Sequence, residues 1–175
     1  MTSLYEISIH TFTKILQAEA AILKKADAFA KEKGRPISEF LTARIYEDML
    51  PLTAQISITA MAARKGAGRL SGKELPQVAE ISKERTLEEC QSLIAETLDI
   101  LADVKPESVN GTESEIVPCQ FGNRGEAQVT KSEYIRGYSL PTCYFHLNAA
   151  YAILRMKGVP LGKADYLESF TEGWL

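Results

Sequence analysis

Leu140-Pro-Thr-Cys-Tyr-Phe-His-Leu-Asn-Ala-Ala-Tyr-Ala-Ile-Leu-Arg155 is the stretch whose reading decides the fold. Its apolar residues follow a helical period and predict one helix packed on several sides. Yet it carries a histidine, an asparagine, two tyrosines and an arginine, and polar groups set among core residues are costly unless something pairs with them. The wall of a functional pocket is therefore expected here. Thr130-Lys-Ser-Glu133 has the form of a capping box that opens this helix, and Gly158 stands where a glycine ends one. Pro141 is expected to kink the pattern or to split it in two.

Upstream, three further helical patterns recur. Ser3-Leu-Tyr-Glu6 is a second capping box, followed by Phe12, Ile15, Leu16, Leu23, Ala26 and Ala30 at helical spacing until Gly34-Arg-Pro36 stops the run. Residues 37–45 form a short helix or an irregular connection. Asp48 is expected to cap a second long helix, with Pro51 in its first turn and Leu52, Ile56, Ala60, Ala63 and Ala67 on its inner stripe. After a loop, Thr86-Leu-Glu-Glu89 caps a third helix carrying Leu87, Ile94, Leu98 and Leu101. Between the third and last helices the period changes. Residues 115–121 and 126–130, joined by Gly122-Asn-Arg-Gly125, predict a β-hairpin on a four-residue loop, with Pro118 confining its strand to an edge or a bulge. Four apolar stripes in one domain of 175 residues are buried most simply by a four-helix bundle.

Composition narrows the function classes. Twenty basic against twenty-three acidic side chains leave a net charge of −3, with no basic block of the kind that binds nucleic acid. No run approaches the length of a membrane span, and the first residues lack the basic and apolar regions of a signal peptide. Cys90, Cys119 and Cys143 fit neither a disulfide framework nor a zinc ribbon and suit a reducing cytosol, so a cytoplasmic location is expected. Asn110-Gly-Thr112 reads as a turn.

Order and motifs together resemble an uncharacterised bacterial and fungal domain-of-unknown-function family within the DinB/YfiT-like superfamily of four-helix bundles. The residues that carry the resemblance are Ser3-Leu-Tyr-Glu6, Ala43-Arg-Ile-Tyr-Glu-Asp-Met-Leu-Pro-Leu52, Gln55, Leu140 to His146, Ala150-Tyr-Ala-Ile-Leu-Arg155 and Gly162-Lys-Ala-Asp-Tyr-Leu167. The resemblance covers nearly the whole chain. It implies an all-α, up-down-down-up bundle as one domain over residues 1–175, and a homodimer, but brings no activity. Relatives in the wider superfamily often hold a divalent metal through three histidines, one on the second helix and two spaced four apart on the last. Here Gln55 stands at the first position, His146 at the second and Ala150 at the third, whereas a catalytic zinc needs three protein ligands.

Two site readings follow. In one, a small organic molecule binds between helices in a pocket lined by Gln55, Tyr144, His146, Asn148 and Tyr151. His146 and Tyr144 are then the candidate catalytic residues, with His146 moving a proton in metal-independent isomerase or lyase chemistry. Gln55, Asn148, Tyr151 and Arg155 are the candidate ligand-binding residues, and no cofactor is assigned. Tyr144, Asn148 and Tyr151 advance in helical steps and share a face, with His146 offset toward its side. In the other reading the tyrosines belong to a subunit seam and the chain is a non-catalytic homodimeric module. A third arrangement, a degenerate metal site, would use His146, Gln55 and Asp48 or Glu47. Arg155 opposes the negative end of the helix dipole, and Lys163 and Asp165 are expected to fold over the bundle end and pair with it.

Overall fold

Ser3 and Glu6 begin the chain's first helix by serving each other's free backbone donors. Glu6 N–H donates to Ser3 Oγ (3.2 Å) and Ser3 N–H to Glu6 Oε2 (2.9 Å). The computed structural model describes residues 2–174. From this cap the chain runs through a wide turn, Glu6–His10, into α1 (Thr11–Glu32). The helix ends where Gly34 takes φ +62° and Arg35 N–H reaches back to Ala30 O. Phe12, Ile15, Leu16, Leu23, Ala26 and Ala30 are all buried, as their spacing predicts. One turn of helix, α2 (Ser38–Leu41), buries Phe40 and Leu41.

Helix α3 (Leu52–Ser71) starts later than expected. Pro51 is its cap, in extended backbone, and Asp48 lies outside it. The reason is local: a proline pushes the residue before it off helical geometry, so Leu50 cannot belong to the helix. The anticipated stripe of Leu52, Ile56, Ala60, Ala63 and Ala67 is buried, and so are Ala54, Ser57, Ala62 and Gly66 on other sides. Helix α4 (Leu87–Ala102) opens with the Thr86–Glu89 capping box. Asn110 ends up supporting α1, since Tyr5 N–H donates to its Oδ1 at 2.9 Å.

The hairpin forms between β1 (Ile116–Gln120) and β2 (Glu126–Thr130), antiparallel, with Val117 opposite Val129 and Pro118 opposite Gln128. Its loop has five residues rather than four, closed by Phe121 N–H to Gly125 O. Thr130 and Glu133 then cap α5 (Lys131–Tyr134), which continues through a wide turn at Ile135–Ser139 into α6 (Leu140–Met156). Pro141 does not split this run. Leu140 N–H bonds to Ile135 O, five residues back, so the widened turn absorbs the register change next to the residue that has no N–H. Beyond Gly158 (φ +91°), α7 (Lys163–Leu167) and a short 3-10 turn, Glu168–Thr171, fold back along α1.

Contacts between the helices give their directions. Glu19 meets Thr59 and a Cβ on Gly66 would meet Phe12, so α1 and α3 are antiparallel. Arg85 meets Ser57 while Thr97 meets Arg64, so α3 and α4 are parallel. Ser139 meets Ala62 and His146 meets Gln55, so α6 opposes α3. The order is up-down-down-up. Lys131 ties the hairpin to the bundle: its buried Nζ donates to Leu70 O at the end of α3 (2.8 Å) and to Thr112 Oγ1, and pairs with Glu115 (2.7 Å). No helix among the described residues is long and apolar enough to cross a membrane.

The tightest packing is at Gly66. A Cβ there would fall 2.7 Å from the Phe12 ring and 2.8 Å from Ser139 Oγ, closer than side chains can approach. Gly66→Ala is expected to cost about 1–3 kcal/mol, read as a drop of several degrees in melting temperature. Gly137→Ala, where a Cβ meets nothing within 4 Å, is the control and should leave stability unchanged or slightly raised.

Candidate functional site

On α6 the residues singled out from the sequence separate onto two sides. Tyr144, Asn148, Tyr151 and Arg155 follow one another by four, three and four residues. His146 lies two residues from Tyr144, about 200° around the helix. It is therefore turned away from the tyrosines, not toward them. The C-terminal segment covers the tyrosine side: Tyr144 stacks on Phe170 (6.1 Å between centroids), Phe170 on Tyr166, and Tyr151 meets Tyr166 edge-on. Asn148 is exposed. Arg155 is exposed too and donates to Val159 O (2.8 Å), which caps the helix end. Asp165 does not pair with it; it accepts from Lys25 and from Gly162 N–H.

The structure does bring His146 to Gln55. Leu50, kept extended before Pro51, presents its carbonyl to Gln55 Nε2 (2.9 Å). That contact needs the amide's NH2 group, so Gln55 Oε1 is the atom facing His146, at 2.6 Å from Nδ1. An amide oxygen only accepts, so Nδ1 carries the proton and Nε2 keeps its lone pair. Among the described residues nothing pairs with Nε2. Burial lowers the imidazole pKa from 6.5 to about 4, so the ring is neutral throughout the physiological range. Phe145 stands edge-on to the ring (5.1 Å) and is 61% exposed, while Leu50 is 42% exposed. Two open clefts, of about 660 Å³ at the end of α3 and about 370 Å³ along α4, lie elsewhere on the surface.

These donors do not suit a divalent ion. Gln55 Oε1 is taken by the Nδ1 proton, Ala150 has no donor, and Asp48 and Glu47 are exposed in the connection before α3. Among the described residues no three His, Cys, Asp or Glu side chains converge on one point.

One residue escaped the sequence reading. Glu19 is completely buried between α1 and α3, where Thr59 Oγ1 contacts its Oε1 (2.7 Å) and its Oε2 has no partner among the described residues. Its sequence signal was a carboxylate inside the stripe of Ile15, Leu16, Ile22 and Leu23. Burial raises its pKa from 4.5 to about 8. Burial likewise pushes up the Cys143 thiol, holds Cys90 at about 11 and Tyr166 at about 12, and raises Tyr144. The interior resists charge of either sign.

Glu19 and His146 set opposing pH dependences. A carboxyl whose folded pKa is raised stabilises the fold while protonated, and that contribution is lost as pH rises from 4.5 through about 8. An imidazole whose folded pKa is lowered stabilises the fold above 6.5, and that is lost as pH falls through about 4. The two cancel between 4.5 and 6.5; above 6.5 Glu19 acts alone. Denaturant unfolding is expected to show stability falling from pH 6.5 to 8, by at most ~1 kcal/mol per unit because each group is half titrated at one end of that window, with Glu19→Gln abolishing the fall.

Comparison with known proteins agrees with the fold. None of the curated proteins matches the chain. A DinB family member protein from Shewanella denitrificans has a similar structure, with a TM-score of 0.83 and 31% sequence identity, over 94% of this chain and 91% of that one. The model of a domain of unknown function (DUF1993) matches residues 4–167. Family match and fold agree, and the chain belongs to the DUF1993 family of DinB-like helical bundles.

Proposed function

We propose that the protein binds a small organic molecule bearing a hydrogen-bond donor at the open face around His146. One observation carries the reading: Leu50 O orients Gln55, and Gln55 holds the imidazole in the tautomer whose Nε2 offers a bare lone pair. Fixing a histidine tautomer through a second residue is how proteins prepare that ring for a ligand. Phe145, exposed and edge-on to the ring at 5.1 Å, supplies apolar surface next to the imidazole. With its basicity depressed, His146 serves better as an acceptor than as a base that must keep an abstracted proton. Tyr144, on the other side of α6, is not part of this site. Binding is thus favoured over isomerase or lyase chemistry.

A second reading rests on exposed apolar side chains at Phe145 and in the connection before α3. Ile45, Tyr46, Leu50 and Phe145 are large apolar side chains with 42–64% of their surface exposed, and such surfaces mark subunit contacts as well as ligand sites. Sedimentation of Phe145→Glu separates the two. A dimer through these side chains would dissociate, whereas a ligand site leaves the assembly state unchanged.

Nitrogen-15 NMR of the histidine side chains tests the first reading. The Nδ1–H tautomer should persist to about pH 4 and be lost in Gln55→Leu. Fragments that shift the Nε2 resonance should bind about tenfold more weakly to His146→Ala. A ring protonated on Nε2, or fragments indifferent to His146, would overturn the proposal.

A further inference from the structure

The cleft of about 660 Å³ at the end of α3 has no part in the His146 site, and it carries its own chemistry. Lys65 and Arg69 line it four residues apart on the last turns of α3, and Lys73 lines it from the connection just past the left-handed turn at Gly72. Glu74 is the one acidic residue on its lining, in a chain whose net charge is −3. Among the described residues the side chains of Lys65 and Lys73 make no ion pair or hydrogen bond.

Arg69 is held in place. One of its terminal nitrogens donates to Tyr134 Oη (2.9 Å) and its guanidinium lies over the same ring at 4.8 Å. Tyr134 is buried, and burial keeps its phenol neutral. The remaining guanidinium donors are thereby presented in a fixed orientation, which suits a two-point contact with an oxyanion.

Cations near a helix C-terminus often do no more than offset the dipole. Here that need is already met, because the buried Lys131 donates to Leu70 O, Ser71 Oγ to Ala67 O, and Gly72 takes the left-handed turn. The cleft also depends on a close approach of backbone: a Cβ on Gly68 would stand 3.0 Å from Lys73 O. Leu75 adds an apolar wall, and the volume falls within the range of small-molecule sites.

We infer that this cleft binds a small organic anion, its carboxylate or phosphate group held by Arg69 between Lys65 and Lys73 and its apolar part against Leu75. Calorimetry at low ionic strength with succinate and with inorganic pyrophosphate as probes distinguishes the two oxyanions. At least one should bind saturably. Lys65→Gln with Lys73→Gln should weaken it about tenfold or more without moving the melting temperature, since both side chains stand free of the fold's hydrogen bonds. Arg69→Lys, which keeps the charge and loses the fork, should weaken it as well. Failure of both probes to saturate, or equal affinity in the double variant, would overturn the inference, as would amide shifts that map outside residues 65–77.

Discussion

Helix α3 is buried on nearly every side, and that is possible only because it is built from small residues. Ala60, Ala62, Ala63, Gly66 and Ala67 let α1 and α6 come close enough that the Phe12 ring and Ser139 occupy the space a Cβ on Gly66 would need. A helix so enclosed cannot slide or rotate without breaking packing on several sides at once. Everything polar that it presents is therefore presented in a fixed position. Gln55 meets His146, Thr59 meets Glu19, Arg64 reaches Thr97 and the carbonyls of Leu93 and Pro76, and Arg69 meets Tyr134. The chemistry of this bundle is organised by its least bulky helix.

The polar groups inside the bundle are arranged to stay uncharged. Thr59 has a single hydroxyl proton, and its oxygen lies 2.7 Å from Glu19 Oε1 and 3.1 Å from Gln55 O. Both contacts are satisfied together when Glu19 is protonated: the acid donates to Thr59, and Thr59 donates to the Gln55 carbonyl. An ionised Glu19 would claim the hydroxyl proton and still leave charge on an oxygen with no partner. With thiols and phenols nearby also pushed toward their neutral forms, the middle of the bundle is poorly suited to charged intermediates. The half-buried His146 and the open cationic cleft lie at its margins.

Local rules predicted much of this architecture. Each of the three capping boxes forms, the helical stripes are buried, and Gly158 ends α6, because these features depend on residues within a few positions of one another. The errors came where a backbone preference competed with a pattern. Leu50 could not be helical before Pro51, so α3 lost the turn that Asp48 was expected to cap. Pro141 cost no break because a wide turn could form before it. The site was harder to read. The sequence reading sets His146 beside the tyrosine face, although two residues on a helix lie about 200° apart, and periodicity does not say which neighbour each will meet. That depended on where the C-terminal segment packs, which covers the tyrosines with Phe170 and Tyr166 and leaves Gln55 to the histidine. The cleft was not legible because it arises when the connection after α3 folds back past Gly68.

The two margins differ in what they offer a ligand. At the start of α3 a neutral imidazole presents a lone pair and nothing else, so it selects molecules that donate a hydrogen bond. At the other end Lys65, Arg69 and Lys73 present only donors, so they select molecules that accept. Fourteen residues of helix separate Gln55 from Arg69, about 21 Å along the axis, farther than one small molecule spans. The two proposed sites cannot hold opposite ends of one metabolite, and loss of one need not disturb the other, except through α3 itself. Any communication between them would have to pass through a helix that Gly66 locks against Phe12 and Ser139. Rigid packing of that kind preserves the geometry of both sites but supplies no second conformation through which one could bias the other.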